Sequence, residues 1–205
     1  MKTLLAALAV LLGSIASASG QTFPSRTLTL IVPFSAGGPT DTIGRIVAQR
    51  MGAALGQTVV VENVTGAGGT IAVGRVARAA PDGYTLDIGH LGTHVINGAI
   101  YELQYDVFRD FEPVATVDEA GLPGLYVSVW YGIWAPGKTP RDVVARLNSA
   151  IVAALADSTV RRRLAELGQE IPPREQQTPE YLAAYHKAEI EKWWPLVKAA
   201  GIKGE

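Results

Sequence analysis

The chain has 205 residues, and its 18 Lys and Arg and 19 Asp and Glu are interspersed to give a formal net charge of −1. This balance gives no electrostatic attraction to nucleic acid or to an acidic membrane surface, so no nucleic-acid partner is predicted. Cysteine is absent. An exported form would therefore depend on a sizeable apolar core rather than on disulfides.

Residues 1–20 are typical of an export signal. Lys2 provides a positive start, Leu4–Leu12 is apolar but too short to span a bilayer, and Ala16-Ser17-Ala18 resembles a cleavage site. A buried N-terminal helix is the alternative, but it would need a polar face that this segment lacks. We predict a signal peptide and a periplasmic mature chain.

The turn Pro33–Asp41 organises the predicted fold. The apolar run Leu28–Val32 predicts a strand before it, and the amphipathic segment Thr42–Leu55 predicts a helix after it. Gly37 and Gly38 allow the backbone to approach a ligand. Free N–H groups at a helix start favour a carboxylate or phosphate, so we predict that the turn binds a small anion.

Two further strand-turn-helix units follow. The strands are predicted at 58–61 and 84–88, the turns at 65–70 and 89–94, and the helices at 71–80 and 95–101. Three such units predict a parallel sheet whose turns gather at the carboxyl ends of the strands.

The second half of the chain is less regular. Pro113–Val117 is at best a short strand, whereas the aromatic and β-branched segment Leu125–Trp134 predicts a long one. Helices are predicted after Thr139-Pro140, from Asp157 and after Thr178.

A dinucleotide site is the alternative interpretation of the second turn. Gly66-Ala67-Gly68 follows a strand, and Asp87 lies at about the distance of a ribose-binding acid. The third glycine of that pattern is replaced by Ile71, whose bulk opposes close packing of helix and strand. A nucleotide-dependent α/β enzyme therefore remains the runner-up.

Other catalytic and metal chemistry is weakly indicated. His90 and His94 could share a helix face as metal ligands, but no third histidine is near them, and His186 lies in a surface-patterned helix. Ser35 lacks the glycine two positions before it that a nucleophile elbow needs. We predict no catalytic residue, no metal and no cofactor.

Asp41 has two interpretations. An aspartate in the first helical turn suits the helix dipole, a contribution of about 0.3–1 kcal/mol. It could also receive an amine or hydroxyl of a ligand. The two roles are compatible, and the sequence leaves both open.

Five motifs stand in a fixed order along the mature chain. They are Val32–Asp41, Val59–Thr70, Pro81–Leu86, Val127–Gly132 with Ala135-Pro136, and Lys198–Lys203. Together they resemble the Bug family, the periplasmic substrate-binding proteins of tripartite tricarboxylate transporters. The resemblance implies a protein that is not an enzyme, that binds small carboxylates, and that has the transporter's membrane components as partners.

The resemblance also implies which residues contact the ligand. In the family, two α/β lobes close on a carboxylate held by the first two turns, the family's aspartate matches Asp41, and the third turn contributes at its helix start. The implied ligand-binding residues are Phe34, Ser35, Ala36, Gly37, Gly38, Asp41, Gly66, Ala67, Gly68, Gly69, Thr93 and His94.

One departure from the family concerns the second lobe. The segments Asp110–Val114 and Glu119–Gly124 are separated by that lobe in the family but nearly adjacent here, so roughly a hundred residues, about one domain, are missing. We expect one lobe of a type II periplasmic-binding-protein-like α/β fold, with a mostly parallel sheet and helices on both faces. Residues 23–112 and 127–205 would form it, with 113–126 as a short bridge.

The loss of a lobe leads to two expectations about binding. A ligand held by one wall stays wet, so affinity would be weak, on the order of millimolar. Trp130, Tyr131 and Trp134 near the former hinge would become exposed and could drive self-association. An interaction module or a non-functional remnant is therefore a third hypothesis.

Overall fold

Five strands form one mixed sheet in the order β2-β1-β3-β5-β4. The computed structural model describes residues 22–121 and 128–203, with side chains outside 118–128, so the predicted signal peptide lies outside the described residues. β1 is parallel to β2 and β3, as predicted, whereas β5 is antiparallel to both β3 and β4. The strands are β1 Leu28–Val32, β2 Val59–Asn63, β3 Thr85–His90, β4 Phe111–Gly121 and β5 Ser128–Pro136.

The helices begin largely where capping residues predict them. The Asp157 side chain accepts hydrogen bonds from two backbone N–H groups, and Thr178 Oγ1 accepts one from Tyr181 N at 3.1 Å. Thr139 instead donates its hydroxyl to Pro136 O, so that Pro140 is the N-cap. The helices are α1 Pro39–Leu55, α2 Thr70–Ala77, α3 Asn97–Ile100, α4 Arg141–Ala156, α5 Ser158–Glu166 and α6 Pro179–Ala199, and a π-helical turn spans Leu91–Ile96.

The sheet is covered by helices on both faces, as predicted. Leu30 packs into a cluster with α1, α4 and α5, while its neighbour Ile31 packs into a second cluster with α2 and α6. Successive strand residues point to opposite faces, so a strand buried on both sides is a continuous apolar run. This explains why the β1 segment carries no alternating pattern.

Strand β4 is much longer than the sequence predicted. It pairs with β5 through two register irregularities, between Pro113 and Ala115 and between Thr116 and Asp118. Pro113 is tolerated because β4 is an edge strand, where a missing N–H leaves no broken ladder bond. The local pattern predicts a poor strand, and pairing with β5 makes it a strand.

The expectation that three aromatic residues of β5 are exposed is wrong. Trp130, Tyr131 and Trp134 are 0%, 6% and 1% exposed. Helix α6 covers the β5 tryptophans, with the Tyr185 ring 5.1 Å from that of Trp130. Self-association through an exposed hinge face of these three side chains is therefore not supported.

Among the residues that the structure describes, no single helix is long and apolar enough to cross a membrane. Helices α4 and α5 meet the length and composition criteria only when taken together, and they are bent by 72° at their junction.

We predict that Leu182→Ala lowers the free energy of unfolding by about 2–5 kcal/mol, because it leaves a cavity where α6 packs on the sheet. Leu182 is fully buried, whereas Leu196 on the same helix is 57% exposed. Leu196→Ala is the matched control and should change stability by less than about 0.5 kcal/mol. Urea unfolding of both variants measures this, and equal losses would contradict the packing described for α6.

Candidate functional site

Three turns follow the carboxyl ends of the three parallel strands, and they meet at Gly69. We call Pro33–Gly38 the first turn, Thr65–Thr70 the second and Gly89–His94 the third. A Cβ placed on Gly69 would lie 2.9 Å from Thr93 Cγ2 and 3.1 Å from Pro33 Cβ. Only a glycine allows the three turns to approach this closely.

The first turn presents free backbone donors. Gly38 N donates to Ser35 O at 3.4 Å and Gly37 has φ of +83°, which together fit a type II turn with Ala36 and Gly37 at its centre. Within the described part of the chain, the N–H groups of Phe34, Ser35 and Ala36 have no hydrogen-bond partner. Ser35 and Ala36 are exposed and Phe34 is partly buried, so the turn that carries these donors lies at the surface.

Asp41 holds the first turn in place. The side chain is 2% exposed and accepts hydrogen bonds from Gly37 N at 2.8 Å, Arg45 Nε at 2.9 Å and Asn63 Nδ2 at 2.9 Å. The hydrogen bond from Arg45, helped by those from Gly37 and Asn63, lowers the pKa of Asp41 to about 2, although burial opposes the shift. Of the two roles left open by the sequence, this geometry supports a role within the fold.

Asn63 is a site residue that the sequence analysis missed. Its Nδ2 also donates to Phe34 O at 2.9 Å, and its Oδ1 accepts from Arg45 at 3.1 Å. Asn63 is paired with Val32 at the end of the parallel β1–β2 ladder. A polar residue closing a β-branched strand beside a predicted turn was the available signal.

The second turn is a left-handed turn. Gly66, Ala67, Gly68 and Gly69 have φ of 122°, 45°, 60° and 93°. Ala67 carries a Cβ in this region, which costs about 1–3 kcal/mol and is typical of functional segments. Asn97 Nδ2 anchors the turn by donating to Gly68 O at 2.8 Å.

The second turn, like the first, has unused donors. The N–H groups of Gly66, Ala67 and Gly68 have no hydrogen-bond partner among the residues that the structure describes, and all three residues are exposed. The first N–H groups of a helical turn carry partial positive charge and favour an anion. Both turns can therefore bind the same chemical group.

The third turn differs, because its two predicted ligand-binding side chains are buried. Thr93 and His94 are 0% exposed. Thr93 Oγ1 accepts from His90 N at 3.0 Å and lies 3.1 Å from His94 Nδ1. In this conformation, neither side chain reaches solvent. Their contacts stabilise the third turn from its buried side.

His94 and Asp87 form a buried polar pair. His94 Nε2 lies 3.3 Å from Asp87 Oδ2, and the His94 ring stacks on Trp134 at 3.8 Å. Burial raises the pKa of Asp87 and lowers that of His94, so both groups favour their neutral forms. Asp87 is fully buried and cannot reach a ribose, which removes the acid that the dinucleotide interpretation requires.

His186 corrects a second expectation. It is 4% exposed rather than on a surface, and its Nε2 lies 2.7 Å from His94 O. A third histidine is therefore near His94, brought there by α6. Among the described residues there is still no group of three or more His, Cys, Asp or Glu placed to hold a metal ion.

His90 lies between the first and third turns. Its ring stacks on Phe34 at 5.1 Å and meets Tyr131 edge-on at 5.6 Å. Its Nδ1 accepts from Gly92 N at 2.8 Å, which makes it the N-cap of the π-helical turn. Burial lowers the pKa of His90 to about 4, so the ring is neutral at pH 7.

We predict that Asp41→Asn lowers the free energy of unfolding by about 1–3 kcal/mol at pH 7, because it weakens charge-assisted hydrogen bonds. The Asp41 pKa is lowered to about 2 from its usual 3.8. The charged form therefore stabilises the fold above about pH 4, and that stabilisation is lost as pH falls through 2. The difference between wild type and variant should shrink over the same interval in urea titrations.

Glu166→Gln is the matched control for this substitution. Arg162 and Glu166 form an i, i+4 pair like Asp41 and Arg45, but both side chains are exposed and 3.8 Å apart. Exposed pairs contribute about 0–1 kcal/mol. A loss at Asp41 no larger than that at Glu166 would contradict the role assigned to Asp41.

We also predict that Gly69→Ala destabilises the protein more than Gly37→Ala. Both residues have positive φ, so each substitution costs about 1–2 kcal/mol in backbone strain. A Cβ on Gly37 meets nothing within 4 Å, whereas one on Gly69 meets both other turns. Overpacking adds about 1–3 kcal/mol at Gly69, and equal thermal shifts would show that the turns do not converge there.

Comparison with known proteins places this chain in a family. Residues 43–118 and 103–202 match the family described as tripartite tricarboxylate transporter family receptor. A UPF0065 protein of Agrobacterium vitis from the TAR-I ttuE-ttuC′ intergenic region is 26% identical, with 88% of this chain and 86% of that protein covered. That alignment runs over 298 residues but includes only 88% of this 205-residue chain, about 180 residues, so the relative has about 118 internal residues that are absent here.

Solved structures agree with this assignment. MatC (Rpa3494) from Rhodopseudomonas palustris, solved with bound malate, is 30% identical with a TM-score of 0.81, covering 85% of this chain and 100% of that one. The periplasmic binding protein BugD is 25% identical with a TM-score of 0.83, covering 89% of this chain and 100% of that one. The resemblance to Bug proteins is confirmed, and the chain belongs to the tripartite tricarboxylate transporter receptor family.

Proposed function

We propose that this protein is a periplasmic receptor that binds small carboxylates for a tripartite tricarboxylate transporter and has no enzyme activity. The observation that supports this most directly is the pair of exposed turns whose N–H groups have no partner in the described part of the chain. The malate in the related MatC structure supports a carboxylate as the ligand class.

The chemistry of the two turns suits a carboxylate. A carboxylate has two oxygens and about four acceptor positions, so it can accept from several N–H groups at once. The negative charge of Asp41 is compensated by Arg45, and its two oxygens are directed at groups of the chain. An anion at the first turn therefore meets N–H dipoles and the start of α1, both of which favour it.

We infer that the missing stretch is a second lobe, and that the segment 113–126, which includes most of strand β4, connects the two parts of the first lobe in its place. Support comes from the longer Agrobacterium alignment and from the position of β4 and β5, which are paired side by side at the sheet edge. The ligand would then be held from one side. Affinity should be weak, on the order of millimolar, because a half-open site leaves much of the ligand in water.

Export to the periplasm is part of this proposal. Its support is the signal-like segment at residues 1–20 and the periplasmic character of related proteins such as BugD. The membrane components of the transporter would be the physiological partners.

We predict that Ala36→Pro weakens carboxylate binding at least about fivefold, because it deletes one N–H donor. Proline is favoured at the first central position of a type II turn, so stability should be maintained. Ala36→Ser keeps the N–H and is the control. NMR titration of the processed chain with malate and adipate, and with uncharged 1,4-butanediol as a negative ligand, measures the affinities.

Three outcomes would contradict the proposal. If neither dicarboxylate binds at concentrations up to tens of millimolar, carboxylate reception is wrong. If a proven monomer binds at micromolar concentration, the single-wall account is wrong. A constitutive dimer whose size and spectrum ignore carboxylates would favour the interaction module instead.

A further inference from the structure

The protonation of the His90 ring is determined by its contact with the third turn. Nδ1 accepts a hydrogen bond from Gly92 N at 2.8 Å, so Nδ1 carries no proton. A neutral imidazole must then carry its proton on Nε2. Partial burial favours the neutral ring, and its lowered pKa is consistent with this form at pH 7.

The Nε2–H group of His90 has no hydrogen-bond acceptor within the described part of the chain. Among the residues whose side chains the structure describes, 22–117 and 129–203, none accepts a hydrogen bond from it. The ring is half-buried rather than sealed, unlike His94, whose Nε2 is buried without a hydrogen-bond partner. His90 therefore has a polarised donor with access to solvent.

The His90 ring lies against a side chain of the first turn. The ring is stacked nearly parallel to Phe34, at an angle of 6°, and Tyr131 contacts it edge-on. These two contacts and the Gly92 hydrogen bond fix its orientation. Phe34 and the next two residues carry the unused N–H groups of the first turn.

We propose that His90 Nε2–H donates a hydrogen bond to the bound carboxylate, beside the backbone N–H groups of the first turn. This inference rests on the proposed carboxylate-binding function and names a side chain that would set ligand orientation. A neutral donor contributes direction without adding charge, so it selects ligands with an acceptor oxygen at this place in the site.

Two substitutions separate this role from the capping role of His90. In His90→Asn, the amide oxygen takes the place of Nδ1 and keeps the cap to Gly92, because asparagine is a strong N-cap, but nothing replaces Nε2–H. In His90→Gln, the amide nitrogen reaches the place of Nε2, while the cap is lost.

The expected malate affinities of the two variants differ. Both variants lose the ring contacts with Phe34 and Tyr131, so both should melt below the wild type. Binding of malate by His90→Asn should weaken about tenfold or more, as for a lost hydrogen bond to a charged group. His90→Gln should melt at a lower temperature still and retain malate affinity within about threefold, since the donor is restored. A purely structural residue would give the reverse pattern.

The experiment is NMR titration of the processed wild-type and variant chains with malate, which also follows the Nε2 nitrogen shift of His90. If His90→Asn binds malate with wild-type affinity, the His90 contact is wrong. It is also wrong if the Nε2 shift does not change when malate saturates the wild type. Neither result contradicts carboxylate binding itself. Failure of the wild type to bind any carboxylate overturns the proposed function, and the His90 contact with it. The two failures are therefore distinguished by the wild-type titration.

Discussion

The first turn depends on one buried carboxylate. Asp41 is bonded at once to the backbone of Gly37, to Arg45 one helical turn later and to Asn63 of the neighbouring strand. A turn that presents free N–H groups to solvent cannot be stabilised through those groups. The carboxylate replaces that missing stabilisation from the inner side, and it ties strand, turn and helix to β2.

The third turn contributes to the site through buried side chains. Thr93 and His94 point into the protein, where His94 is packed between Trp134 and Asp87 and its carbonyl is held by His186. His94 Nδ1 contacts Thr93 Oγ1 and the His94 carbonyl contacts His186, whereas His94 Nε2 and both Asp87 oxygens have no hydrogen-bond partner among the described residues. The helix that supplies His186 also packs on the aromatic residues of β5, which explains why the expected exposed surface is not found among the described residues.

Family membership and chain length together raise the question of how this chain would bind a carboxylate without the internal stretch of its relative. Relatives such as MatC bind a carboxylate, and the Agrobacterium relative has an internal stretch that this chain lacks. The long β4–β5 pair continues the sheet beyond β3, and β4 forms its edge. On the proposed function, the backbone donors and His90 would hold the carboxylate without a second lobe on its other side. Each hydrogen bond would then contribute a larger fraction of a small binding free energy.

The sequence by itself determined the three strand-turn-helix units and most helix starts, because strand runs, glycine turns and capping residues are local signals. Only the tertiary structure decided the length of β4 and the burial of Asp87, Trp130 and His186, since each depends on a distant element packing against it. The contacts of Asn63 with Phe34 and Asp41, and of the His90 ring with Phe34, were likewise not predicted. These partners lie on another strand, helix or turn, and the spacing of residues along the chain does not encode such contacts.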